Sequence, residues 1–175
     1  MKKIPFFSVI IPTFNSEQTI LRTLSSVRKQ TFKNFQIIVI DDGSTDNTVF
    51  LIKNFIKNND LNIKFYEQKN SGGPAAPRNL GIIKSDGERV CFLDSDDYWF
   101  SNKLKDVYFL LKDNKDIDVL TSNEIMIYKN KKSKLIYGPE TKNFYIDLLR
   151  QGNKLSTSAT VVRKSFLIEN KILFN

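Results

Sequence analysis

The residues with the plainest chemical meaning are Asp94, Asp96 and Asp97, which follow at once on the apolar run Val90-Cys91-Phe92-Leu93. Carboxylates crowded at the end of a buried segment repel one another and resist desolvation. Such a group is stable beside water, a basic partner or a divalent cation. Oxygen donors with no histidine in the whole chain suit Mg2+ or Mn2+. The plainer alternative is a solvated acidic turn that caps the next helix. A second set of side chains offers something to each part of a nucleoside diphosphate, which has a flat base, a ribose diol and a charged pyrophosphate. Phe14 is a stacking surface, or else packs on the first helix. Asp42 can accept from a base N–H or a ribose hydroxyl, or else stabilise its own Asp-Gly-Ser turn. Gly72 and Gly73 permit close backbone approach or simply form a loop, and Arg78 offers a guanidinium to a phosphate or a nearby carboxylate. Asp96 could hold a cation that bridges two phosphates. Trp99 reads as packing rather than as a sugar-stacking surface.

These residues need elements to hold them. Phe7-Ser8-Val9-Ile10-Ile11 reads as a buried strand that Pro12 stops. Asn15 or Ser16 can cap a helix between Gln18 and Lys29, where Ile20, Leu21, Leu24 and Val27 share a face. Phe35 to Ile40 is a second strand, and Asp46 can cap a second helix with Val49, Ile52, Phe55 and Ile56 on one side. Ile63 to Tyr66 is a third strand. The loop from Ser71 to Pro74 leads to a helix that Pro77 allows to start only there, running to Ile83. Arg89 to Leu93 is a fourth strand, followed by a helix with Leu104, Val107, Tyr108 and Leu111 on one face. Strand and helix alternate, so the fold class is α/β, with a mostly parallel, Rossmann-like central sheet and helices on both faces. Ligands of such sheets sit beyond the carboxyl ends of the strands. Pro12 to Asn15, Asp41 to Ser44, Asn70 to Arg78 and Asp94 to Asp97 should therefore converge. The second half is less regular, with strands at Val119–Thr121, 125–128, 135–137 and 159–162 and a short helix over 145–150.

Composition narrows the chemistry further. With 175 residues, 41% hydrophobic and 26% charged, the chain suits one globular unit over residues 1–175. The absence of histidine excludes imidazole acid–base schemes and Ser-His-Asp triads within it. The single cysteine, Cys91, cannot form an internal disulfide and reads as a buried, inert thiol, in keeping with a cytoplasmic location. No apolar run approaches the roughly 18 residues that span a bilayer. The net charge of +8 is compatible with nucleic acid, an anionic membrane surface or phosphorylated small molecules. Lys129, Lys131, Lys132 and Lys134 form a solvated loop between strands or a patch for peripheral membrane contact. Nucleic-acid binding rests on charge alone, without a recognisable module, and is set aside. No G-x-G-x-x-G follows a strand, which argues against dinucleotide binding.

Four motifs in order, Phe7-Ser8-Val9-Ile10-Ile11-Pro12-Thr13-Phe14-Asn15, Gln30-Thr31-Phe32-Lys33-Asn34-Phe35, Val39-Ile40-Asp41-Asp42-Gly43-Ser44-Thr45-Asp46 and Phe92-Leu93-Asp94-Ser95-Asp96-Asp97, resemble the family 2 glycosyltransferases of the GT-A fold. The resemblance covers roughly the first hundred residues. It implies inverting transfer of a sugar from a nucleotide-sugar donor, usually a UDP-sugar, to a glycan or lipid-linked acceptor, in bacterial-type polysaccharide assembly at the inner membrane face. It also implies that Pro12, Thr13, Phe14, Asn15, Asp42, Gly72, Gly73, Arg78, Asp94 and Ser95 bind the nucleotide. Asp96 and Asp94 would bind Mn2+ or Mg2+. The family's catalytic base follows a strand resembling Ser156-Thr157-Ser158-Ala159-Thr160-Val161-Val162-Arg163-Lys164 and a short helix, which would place it beyond Asn175. The chain is therefore expected to be truncated before that base. A non-catalytic nucleotide-binding module is the alternative.

Overall fold

The computed structural model describes residues 4–129, 131–136 and 155–175. The elements are β1 (Phe7–Thr13), α1 (Ile20–Arg28), β2 (Phe35–Asp41), α2 (Thr48–Lys57), β3 (Ile63–Glu67), α3 (Ala75–Lys84), β4 (Arg89–Phe92), α4 (Lys103–Lys112), β5 (Val119–Thr121), β6 (Glu124–Tyr128), β7 (Lys131–Leu135), a 3-10 turn at Thr157–Ala159, β8 (Thr160–Arg163) and α5 (Lys164–Glu169). Six strands form one sheet in the order β3-β2-β1-β4-β8-β5. β1 pairs in parallel with β2 and β4, and β2 with β3. β8 runs antiparallel to both β4 and β5. Each parallel neighbour is reached through a helix, because a tight turn cannot join strands that point the same way. The chain moves from β1 to β2 and β3 on one side and then returns to β4 on the other. That reversal beside β1 opens a crevice at the carboxyl ends of the strands.

The alternating directions of side chains along β1 explain the two cores. Phe7, Val9 and Ile11 face one layer with α1, α2 and α4, while Ile10 faces the other with Ile82 of α3 and Leu167 of α5. A strand buried on both faces reads as a nearly continuous apolar run, as Phe7 to Ile11 does. On the second face, α3 lies directly on β1. A Cβ at Gly81 would stand 2.4 Å from Ile10 Cγ2, so this helix position must lack a side chain.

Several boundaries differ from the sequence reading. β1 does not stop at Pro12 but runs to Thr13, with Pro12 opposite Ile40. Thr13 C=O accepts Asp42 N–H on the β2 side, so alternation turns Pro12 toward β4, whose pairing ends at Ile10 opposite Phe92. The missing N–H therefore costs no ladder bond. α3 begins at Ala75 rather than Pro77, because first-turn N–H groups have no partner inside a helix. α1 begins at Ile20, after a turn in which Ser16 C=O accepts the N–H groups of Thr19 and Ile20. The N-cap of α2 is Asn47 rather than Asp46, which stands one residue earlier and accepts Thr48 N–H at 2.9 Å. Lys131, Lys132 and Lys134 lie in β7, not in a loop, and pair antiparallel with β6 as a separate two-stranded ribbon. The strand expected over 135–137 is accordingly displaced; Tyr137 and the helix expected over 145–150 lie outside the described residues. Among the described residues no helix is long and apolar enough to cross a membrane.

Candidate nucleotide-binding site

Four loops, one from the carboxyl end of each of β1, β2, β3 and β4, meet around an open cleft of about 640 Å3. Pro12, Thr13, Phe14, Asp42, Gly72, Gly73, Arg78, Asp94, Ser95 and Asp96 all line it. Asn15 does not. Its N–H donates to Ser44 Oγ at 2.9 Å and its Oδ1 accepts Thr45 N–H at 2.8 Å, so it braces the β1 loop against the β2 loop. The backbone follows suit, with Asn15 at φ 46, a left-handed conformation to which asparagine is better suited than most residues. Ser16 extends the bracing: its N–H donates to Thr48 Oγ1 at 2.7 Å, and its hydroxyl pairs with Ser95 Oγ at 2.7 Å.

The two aspartates at the end of β2 divide the work. Asp41 builds the turn, accepting Gly43 N–H, Ser44 N–H and the Ser44 hydroxyl. Gly43 has φ 78, and a Cβ there would stand 2.8 Å from Asn70 N, so both conformation and space require glycine. Asp42, 3% exposed, turns into the cleft. It accepts Gln68 Nε2 at 2.6 Å and both the N–H and hydroxyl of Ser71. A carboxylate has about four acceptor positions, so these three donors leave room for a ligand donor. Gln68 escaped the sequence reading, and Asn70 and Ser71 entered it only as part of a converging loop, since nothing local pairs them with Asp42.

At the other end, Arg78 Nη2 donates to Asp94 Oδ1 at 2.6 Å. Asp94 Oδ2 and the exposed Asp96 carboxylate accept no hydrogen bond among the described residues. Asp94 N–H is anchored on Ser158 Oγ at 3.0 Å, and Trp99, 8% exposed, donates its Nε1–H to Ser158 C=O at 2.9 Å. Trp99 thus packs, as read. Helix α1 grips the same loop from behind by three successive carbonyls. Thr23 Oγ1 lies 2.8 Å from Ser95 O and 2.7 Å from Asp97 O, and Arg22 Nη2 donates to Asp96 O. A signal for Thr23 was present: a hydroxyl stands inside the apolar stripe of Ile20, Leu24 and Val27.

The acids at this corner repel one another. Partial desolvation pushes the Asp97 carboxyl above its ordinary range, and Asp96, Glu124 and Asp94 push the same way against the Ser158 hydroxyl. No group of three or more His, Cys, Asp or Glu among the described residues could hold a metal alone. The donor set fits a hard divalent ion that takes one or two carboxylates and completes its shell with phosphate oxygens and water. Two of the four buried polar side-chain atoms without a partner among the described residues, Thr13 Oγ1 and Arg78 Nε, belong to cleft-lining residues. A buried unpaired polar atom is costly.

The profile of Glycosyl transferase family 2 matches residues 8–173. This chain belongs to that family. It is 36% identical over 179 residues to the Staphylococcus aureus (strain N315) poly(ribitol-phosphate) beta-N-acetylglucosaminyltransferase TarP, covering 99% of this chain and 46% of TarP. It is 35% identical over 148 residues to the Escherichia coli UDP-Glc:alpha-D-GlcNAc-diphosphoundecaprenol beta-1,3-glucosyltransferase WfgD, covering 81% of this chain and 57% of WfgD. The crystal structure of S. aureus TarS 1-349 in complex with UDP superposes with a TM-score of 0.78 at 32% identity, over 97% of this chain and 50% of that one. The family 2 chain described here thus spans less than two thirds of each of these relatives. Its sheet and flanking helices are those of the GT-A fold of TarS.

Proposed function

We propose that this chain carries the donor site of an inverting, metal-dependent glycosyltransferase that moves a sugar from a UDP-sugar to a hydroxyl of a glycan or lipid-linked acceptor. The observation that carries the reading is the cleft itself, which offers a hydrogen-bonding pocket at Asp42 and Thr13 and a charged end at Arg78, Asp94 and Asp96. The complex of TarS with UDP and the UDP-sugar in the name of WfgD support the choice of donor.

In this reading Phe14, 48% exposed, lays its ring against the base. Asp42 accepts the base N–H, its orientation held by Ser71 and Gln68. Pro12, Gly72 and Gly73 line the nucleoside with backbone and little bulk, and Ser95 completes the loop beside the phosphates. Arg78 lends its positive charge to the phosphate end of the cleft while Nη2 holds Asp94. Asp94 and Asp96 would hold Mg2+ or Mn2+, which when bound would stabilise the negative charge on the departing diphosphate. The clamp of Arg22 and Thr23 on the loop carbonyls keeps the carboxylates of Asp94 and Asp96 toward the cleft with little reorganisation. Inversion also needs a base for the acceptor's proton, and we assign that task to none of the acids described.

Calorimetric titration of the chain with UDP, with and without Mn2+, tests the reading. Binding should strengthen with Mn2+, and Asp96→Asn should remove the metal-dependent part. Absence of UDP binding under both conditions would refute the donor assignment, and an unchanged response in Asp96→Asn would refute the metal assignment.

A further inference from the structure

Arg78 is restrained from a side the donor reading does not use. Phe174, 95 positions away from Asn79 in sequence, is bound to it by two hydrogen bonds: Asn79 Nδ2 donates to Phe174 C=O at 2.9 Å, and Phe174 N–H donates to Asn79 Oδ1 at 2.9 Å. An asparagine amide matches a peptide group in this way because it carries one acceptor and a donor side by side. The grip sets the Phe174 ring against the Arg78 guanidinium, 5.2 Å from the ring centroid. The same ring meets Phe92, the last residue of β4, at 5.1 Å and 81°. Asn79 is the next residue to Arg78 on α3, so one helix carries both the guanidinium and the clip that fixes its cover.

The geometry suits a preset cation. A phenyl ring attracts a guanidinium electrostatically yet accepts none of its in-plane hydrogen bonds in the way a carboxylate would. Nη2 therefore remains on Asp94, while Nε stays buried and without a partner among the described residues. An arginine free to sample its rotamers would lose side-chain freedom on engaging a ligand. Restraint by the ring removes part of that loss in advance.

We propose that Phe174, held by Asn79, is a positioning residue that fixes Arg78 against Asp94 and so presets the diphosphate end of the cleft. This rests on the donor-site reading above. The test has two arms. In the 1H–15N spectrum of the chain without ligand, the Arg78 Nε–H should be protected from exchange and displaced by the ring current. Phe174→Leu should abolish both effects and Phe174→Tyr should keep them. An Arg78 Nε–H signal unchanged in Phe174→Leu would overturn the proposal. In the second arm, Phe174→Leu should weaken UDP binding roughly fivefold, while Phe174→Tyr restores it. The same change in an Arg78→Gln background should leave the residual affinity unaltered and lower the melting temperature less than in the parent, since the ring has there lost its guanidinium partner. An equal loss of affinity in both backgrounds would also overturn the proposal, since a structural defect does not depend on Arg78. If the unaltered chain fails to bind UDP, the donor reading falls and the spectroscopic arm alone decides whether Phe174 orders Arg78.

Discussion

Replacing Thr23 by valine tests whether α1 holds the aspartate loop by its backbone. Thr23 is fully buried, and its hydroxyl lies within hydrogen-bond distance of Ser95 O, Asp97 O and, at 3.4 Å, Thr19 O. A hydroxyl has one proton, so it donates to one of these carbonyls at a time. Valine keeps the volume and removes the donor. The cost is one net hydrogen bond, about 1 kcal/mol, plus the desolvation of a loop carbonyl left without it, for a sum of about 1.5–3 kcal/mol. For a chain of this size each kcal/mol moves the melting temperature by roughly 2–4 °C, so Thr23→Val should melt roughly 3–12 °C lower. The loop should also lose its register against α1, and UDP binding in Mn2+ should weaken more than binding without metal. Thr23→Ser, which retains the hydroxyl, should recover most of the metal-dependent binding. Thermal denaturation followed by calorimetry separates the two effects. A Thr23→Val chain that melts within about 1 °C of the parent and binds UDP and Mn2+ unchanged would show that the loop carbonyls do not depend on this hydroxyl.

Two further substitutions probe the scaffold. On helix propensity alone Gly81→Ala would stabilise α3 by about 1 kcal/mol, but the contact with Ile10 reverses the sign. We expect a loss of about 1–3 kcal/mol in urea unfolding, and a gain in stability would refute the close packing of α3 on β1. Burial raises the Cys91 thiol to about 12, with Lys103 pulling the other way. The unfolded thiol ionises near 9 while the folded one keeps its proton, so the folded state binds more protons between roughly 9 and 12. Stability should therefore fall as pH rises through that window, less so in Cys91→Ala. Modification by a thiol reagent at pH 8 should follow unfolding, and rapid labelling of the native chain would contradict the burial.

The strand–helix alternation and the edge of the sheet that carries the cleft were legible from local pattern. Val9, Ile10 and Ile11 announce a strand buried on both faces, and Ile20, Leu24 and Val27 announce one face of a helix, because such periods depend on a residue's neighbours in the chain. Once four such strands are joined by helices, topology alone sends Thr13, Asp42, Arg78 and Asp94 to one crevice. The extent of β1 past Pro12 was not legible, because it depends on where β4 stops pairing. Nor was the reassignment of Lys131 to Lys134 from loop to strand, which follows from their register against Ile125 to Tyr128. The bonds of Asp42 to Gln68 and Ser71, the bracing role of Asn15, the grip of Thr23 on two carbonyls and the clasp of Asn79 on Phe174 all join segments distant in sequence. Hydrogen bonds of that kind are selected by direction and distance within a few tenths of an ångström. Local composition carries no such information, and only the packed chain brings donor and acceptor to bonding distance.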